Sequence, residues 1–221
     1  MRKNFVRAVL VAGTAAAAVS LAIPAAMAAG TWTVKGGTNF SSAAAASTTF
    51  TLSDTTSHLS FTCTVGTASG TVINETSGTT TAIGSITASA FGSAAHKCNG
   101  PLGSTGTSTQ AAGTTAVLNV ASYNAGTKVT TGTITSITHN LSISSALGSC
   151  SAVVKGTAGV TYNNTTSLLQ FTTAGDSLSV TSTSGSCTGI IKVGDVVTFT
   201  SGTGGETVTG SPVNPITAEQ P

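Results

Sequence analysis

The sequence predicts an all-β protein, an antiparallel β-sandwich or closed β-barrel built from short strands and stabilised by two disulfides. Three observations lead to that reading. Short groups of Val, Ile, Leu and Phe mixed with Thr recur along the chain, punctuated by Gly, Asn and Ser. Beyond the N-terminal leader, no stretch carries the 3.6-residue periodicity of an amphipathic helix. Four cysteines, Cys63, Cys98, Cys150 and Cys187, follow that leader, and an even count in such a context reads as a disulfide framework.

The leader occupies residues 1–28. Arg2, Lys3 and Arg7 form a basic head, an Ala/Val/Leu run extends to Ile23, and Ala26-Met27-Ala28 supplies small residues for cleavage. That is the three-part pattern of a secretory signal peptide, and it predicts a secreted, extracellular protein, with association with the cell wall as one destination. No later stretch has the length of a membrane span. Residues 29–210 read as one β-rich domain, and residues 211–221, with three prolines, as an extended tail.

Without the leader the chain keeps five lysines against six carboxylates, a net charge of −1, and no arginine. Nucleic-acid binding calls for several cations set against phosphates, so nucleic acid is excluded as a partner, and charge-driven adsorption to anionic membranes is equally unsupported.

The cysteine spacing selects a pairing. Cys63 and Cys98 are 35 positions apart, Cys150 and Cys187 are 37, and both closing cysteines begin Cys-x-Gly. "CTVGTASGTVINETSG" and "CSAVVKGTAGVTYNNTTS" also echo each other, each reading as strand, Thr-Ala turn, strand. This is a weak internal duplication, about 60–103 and 147–195, each half clipped by one bridge in sequence order. His96 and Lys97 beside Cys98 raise the prospect of a metal ligand pair or an activated thiol. The positions before Cys187 are Gly185 and Ser186, so the shared feature needs no histidine, and an oxidised thiol is unavailable for either task.

Alternation of apolar and polar residues marks the strands. "TWTVKGGTNF" reads as an edge strand and turn with Trp32 as a core anchor, and Thr-Phe-Thr-Leu after Ala43–Ala46 favours a strand over a helical turn. "HLSFTCTV" places Leu59, Phe61, Cys63 and Val65 on one face, and "GTVIN" and "AIGSITASAF" follow. "GPLGSTGTSTQAAGTT" has the residues of a loop. In "KVTTGTITSITHNLSISS" Ile134 and Ile137 break alternation by one residue, which predicts a β-bulge. With "AVLNVASYN", "SAVVKG", "GVTYNN", "LLQFTT", "SLSVTS" and "DVVTFTSG" this makes about a dozen short strands.

Several of these segments together resemble a group of small secreted hypothetical proteins from Streptomyces-like and related actinobacteria. The resembling features are Ile83-Gly84-Ser85-Ile86-Thr87, Cys98-Asn99-Gly100-Pro101-Leu102-Gly103, Ala121-Ser122-Tyr123-Asn124 and Val129 to Ile134. They continue with Cys150-Ser151-Ala152, Thr161-Tyr162-Asn163-Asn164 and Cys187 to Asp195, over roughly residues 60–217. The resemblance implies export, four paired cysteines and an all-β body. It implies no reaction, substrate or cofactor, so no functional residue carries over.

Candidate chemistry is sparse. No Gly-x-Ser-x-Gly nucleophile elbow is present, and His58, His96 and His139 each lie among hydroxyls that read as scattered surface polar residues. Asp54, four positions before His58, would orient its imidazole only on a helix. Six carboxylates with no fixed spacing, and scarce aromatic platforms in Trp32, Tyr123, Tyr162 and a few phenylalanines, of which Phe61 and Phe199 read as buried, give no glycosidase signature. Asp176 and Asp195 each follow a glycine at a strand start, where a carboxylate caps a turn. Asn39, Asn74, Asn140, Asn163 and Asn164 fit the glycosylation pattern, as chance dictates in a chain this rich in Ser and Thr. No catalytic, cofactor or metal residue is assigned. The expectation is a non-catalytic secreted or cell-envelope-associated β protein, with a barrel that carries a small lipid-like molecule as the alternative and a secreted hydrolase behind both.

Overall fold

The computed structural model describes residues 32–73, 81–211 and 217–219. The leader, Asn74 and Pro212 to Ile216 lie outside them. The protein is all-β, with two disulfides, Cys63–Cys98 and Cys150–Cys187.

In chain order the strands begin with β1 (Thr33–Lys35), β2 (Asn39–Ala44), β3 (Phe50–Asp54), β4 (Ser60–Cys63), β5 (Gly66–Val72) and β6 (Ala82–Phe91). There follow β7 (Cys98–Asn99), β8 (Thr105–Gln110), β9 (Ala116–Asn124), β10 (Val129–Ser145) and β11 (Gly148–Asn163). The chain ends with β12 (Leu168–Thr172), β13 (Leu178–Gly185), β14 (Val196–Ser201), β15 (Glu206–Ser211) and β16 (Thr217–Glu219). One short 3-10 turn, Pro101–Gly103, precedes β8.

The pairing is antiparallel throughout and organised by one long hairpin, β10–β11. The outer half of that hairpin has β9 and β12 as neighbours, and from them pairing runs through β15, β2, β5 and β6 back to β9. The inner half has β8 and β13 as neighbours, and from them pairing runs through β14, β3, β4 and β7 back to β8. We call these the upper and lower circuits. They share β10 and β11 and are joined again where Ala90 and Phe91 of β6 pair with Thr109 and Ser108 of β8.

Each disulfide closes an excursion between circuits. From Cys63 in the lower circuit the chain crosses to the upper one in β5 and β6 and returns to Cys98. From Cys150 it climbs β11, turns into β12, and returns through β13 to Cys187.

The expected bulge between Ile134 and Ile137 is present, with Ser136 at φ 59°. It resets the alternation of β10. Thr130 and Ile134 face inward before it, and Ile137, Leu141 and Ile143 after it, so one strand keeps an inward face across both circuits.

Three expectations are corrected. The strands number sixteen among the described residues, and β10 and β11 run 17 and 16 residues rather than being short. The Thr-Ala stretches read as turns lie inside β5 and β11. At Gly156, φ is +137° and an added Cβ would stand 2.0 Å from the Ser177 carbonyl, so a glycine that looks like a turn signal serves a close strand crossing. The segment read as a loop after Pro101 contains β8, because pairing with β10 satisfies its backbone whatever its side chains.

The core is continuous between the circuits. Phe50 of β3 and Phe199 of β14 meet Phe91 of β6 and Phe171 of β12, and every pair of these four rings has centroids 4.6–6.2 Å apart. Such pairs contribute about 0.5–1.5 kcal/mol each beyond their buried area. Two strands from each circuit are thereby tied at the junction. Trp32, the expected anchor, is buried beside β1, which pairs with β16.

Candidate functional site

The interior holds a cavity of about 130 Å³ whose wall draws on both circuits. Phe91, Phe171 and Phe199 line its junction region, with Val120, Ile134 and Leu141 among the aliphatic groups around it. Glu206, His139 and Tyr162 are the ionisable side chains among its described lining residues.

Glu206 begins β15, level with Ala44 of β2 and Leu169 of β12. The preceding backbone is held firmly. The Thr48 hydroxyl accepts the Gly205 N–H at 3.0 Å and donates to the Gly205 carbonyl at 3.1 Å, and Gln170 donates to the Gly204 carbonyl at 3.0 Å. The Glu206 side chain is fully buried. Its Oε2 accepts the Ser42 hydroxyl at 2.5 Å, while Oε1 has no hydrogen-bond partner among the described residues. Burial pushes its carboxyl above the usual range, and the Ser42 hydrogen bond offsets part of that. Gly66 makes the room: a Cβ there would lie 2.7 Å from Phe50 Cε2 and 2.9 Å from Glu206 Oε1.

His139 sits where β6, β8 and β10 meet. Its Nε2 is 2.8 Å from the Ser89 hydroxyl and its Nδ1 is 2.9 Å from the Ser108 hydroxyl. The network fixes the tautomer. Gln110 Nε2 donates to the carbonyls of Ile86 and Thr114, so its Oε1 accepts the Ser89 proton at 3.0 Å. Ser89 can then only accept from Nε2–H, which leaves Nδ1 to accept from Ser108. Burial lowers the imidazole to about 4. Ser108 donating to an imidazole nitrogen has the outline of a nucleophile and base, but the far nitrogen is held by Ser89 instead of a carboxylate. A base so weakened is a poor proton acceptor at neutral pH.

Of the residues singled out from sequence, His139 is not on the surface but buried at the cavity, because the bulge in β10 turns it inward. Phe61, Cys98, Tyr162 and Phe199 line the same cavity, and the others fall elsewhere. His96 and Lys97 are exposed, and the His96 N–H is accepted by Ser93, while Cys98 is consumed in its bridge. His58 is exposed at φ 57°, and the Asp54 carboxylate accepts instead from the N–H of Thr56 and from the N–H and hydroxyl of Ser57. Burial raises Asp54, but the bonds from Ser57 and Thr56 outweigh it and hold the carboxyl below its ordinary value. Asp195 caps its turn as expected, accepting the Lys192 N–H at 2.8 Å. Asp176 does not cap its own turn. Its two oxygens accept the N–H groups of Gly159 and Phe199, pinning β11 and β14 at the junction, and burial raises its carboxyl against those bonds. Phe61 and Phe199 are buried. Asn164 is also buried, which removes it as a glycosylation acceptor. Its Oδ1 accepts the Ala218 N–H at 2.8 Å, its Nδ2 donates to the Ala218 carbonyl at 3.3 Å, and Thr130 donates to the same carbonyl. Ala218 of β16 is thereby fastened over the upper circuit, where it lines the cavity.

Among the described residues no group of three or more His, Cys, Asp or Glu side chains is placed to hold a metal, and no helix is long and apolar enough to cross a membrane. No protein family, curated protein or solved structure matches the chain.

Proposed function

We propose that this is an exported, non-catalytic binding protein, in which two small β-barrels sharing β10 and β11 retain a compact apolar molecule in a common interior. The cavity carries this reading. Its wall is aromatic and aliphatic with few polar groups, the usual composition of a small-molecule site. Its volume is close to the roughly 150 Å³ at which an apolar protein cavity stays dry and takes up benzene. Export is supported by the leader pattern and by two disulfides, which persist in oxidising compartments. The non-catalytic reading is supported by His139, a neutral imidazole with both nitrogens held by serines.

A structural component of the cell envelope is the second reading. It is favoured by the cavity falling short of the roughly 300–1,000 Å³ of sites for larger ligands. Native mass spectrometry of protein recovered from its own culture medium separates the two. A stoichiometric small molecule, lost on denaturation, is the expected result. Clean apo mass in repeated preparations would leave the envelope component as the better description.

A further inference from the structure

Among the described residues that line the cavity, Glu206 alone has a buried side-chain oxygen without a hydrogen-bond partner. Other polar groups at the wall have partners: His139 has Ser89 and Ser108, Ser89 also has Gln110, and Asn119 has Thr135 and the Val117 carbonyl. A fully buried carboxyl oxygen left unpaired is unfavourable, and such a group in a native interior calls for a partner. Here the desolvation has already been incurred by folding, so a ligand that supplies the missing hydrogen bond gains more than it would in water.

We propose that Glu206 is the polar anchor of the cavity and that the ligand is a compact apolar molecule, near benzene in size, bearing one hydroxyl group. This rests on the binding-protein reading above. The hydroxyl follows from what Oε1 can do: an ionised Glu206 leaves it to accept, and a neutral one has two arrangements. If the proton is on Oε1, Ser42 donates to Oε2 and Oε1–H is left to donate to a ligand. If the proton is on Oε2, it bonds to the Ser42 oxygen, whose own proton turns to the Ala68 carbonyl at 3.5 Å, and Oε1 accepts. A hydroxyl matches either arrangement, whereas an ether or ketone matches one. A carboxylate ligand is disfavoured because, among the described residues, no lysine or arginine lines the cavity to balance its charge.

Phenol and toluene test this, because they differ by a hydroxyl in place of a methyl. Binding of each to the full chain, disulfides intact, would be followed by calorimetry and by amide chemical shifts. Wild-type protein is expected to bind both, phenol roughly tenfold more tightly. Glu206→Gln should keep that preference, because an amide also donates and accepts. Glu206→Met should lose it while still binding toluene, and since it removes an unsatisfied buried group it should fold at least as stably. Equal affinity for phenol and toluene in the wild type, or a phenol preference that survives Glu206→Met, would overturn the anchor and leave the apolar cavity standing. Failure of both compounds to bind would overturn the binding-protein reading, and the anchor with it.

Discussion

Replacing His139 by glutamine should make the fold less sensitive to acid. The imidazole is buried against the cavity with a pKa of about 4, against about 6.5 when unfolded. Between those values the unfolded chain binds the extra proton and the folded chain does not, so stability is full at neutral pH and falls as the pH drops through the window. The shift corresponds to about 3 kcal/mol lost on going from pH 7 to pH 4, of which about 2 kcal/mol is gone by pH 5. Other groups titrate in the same range. Asp54, held below its ordinary value, also loses stability with acid, while Glu206 and Asp176, raised by burial, change in the opposite sense. The difference between wild type and His139→Gln cancels these. The pH-independent cost of disturbing Ser89 and Ser108 remains in that difference but drops out of its change with pH. Urea unfolding of both proteins, oxidised, at pH 7, 5 and 4 gives the quantity directly. A gap between the two proteins that stays constant to within about 0.5 kcal/mol over that range would refute the burial of a neutral imidazole.

Two further outcomes are expected. Phe199→Leu keeps much of the apolar volume but removes ring contacts at 4.6, 4.7 and 6.2 Å with Phe91, Phe171 and Phe50, and should lower unfolding free energy by about 2–3 kcal/mol; a loss below about 0.5 kcal/mol in urea melts would mean the four rings do not tie the circuits together. Asn164→Leu deprives the Ala218 N–H of its acceptor and should cost about 1–3 kcal/mol, with hydrogen exchange accelerated in β1 and β16 before it changes in the lower circuit; uniform acceleration throughout the chain would contradict a locally fastened ribbon.

Much of the fold is legible in the sequence because alternation and cysteine spacing are local records of long-range order. Phe61 and Cys63 face inward as their parity dictates, and matched spacings of 35 and 37 residues pick out the observed bridges. What misleads is chemistry that looks the same in two settings. Gly156 and the glycines around β8 resemble turn punctuation, yet Gly156 marks a strand passing within van der Waals contact of another backbone. The site residues carried a signal of the same kind. Glu206 lies two positions before Val208, and His139 two before Leu141, so each shares the face of a buried aliphatic residue. For His139 that parity emerges only after the bulge is counted, since an unbroken β10 would have turned it outward. Composition alone, heavy in Ser and Thr, hid both.

The ribbon of β1 and β16 gives the molecule a fixed order of completion. Residues 33–35 leave the ribosome early, but their partners at 217–219 follow more than 180 residues later. Ala218 is part of the cavity wall, so that wall stays unfinished until β16 has been made. A ligand of the kind proposed above would be able to enter while β16 is still missing, and the β1–β16 ribbon would then cover it. Loading and release would then occur at different times and in different surroundings, set by where the chain folds and not by affinity alone.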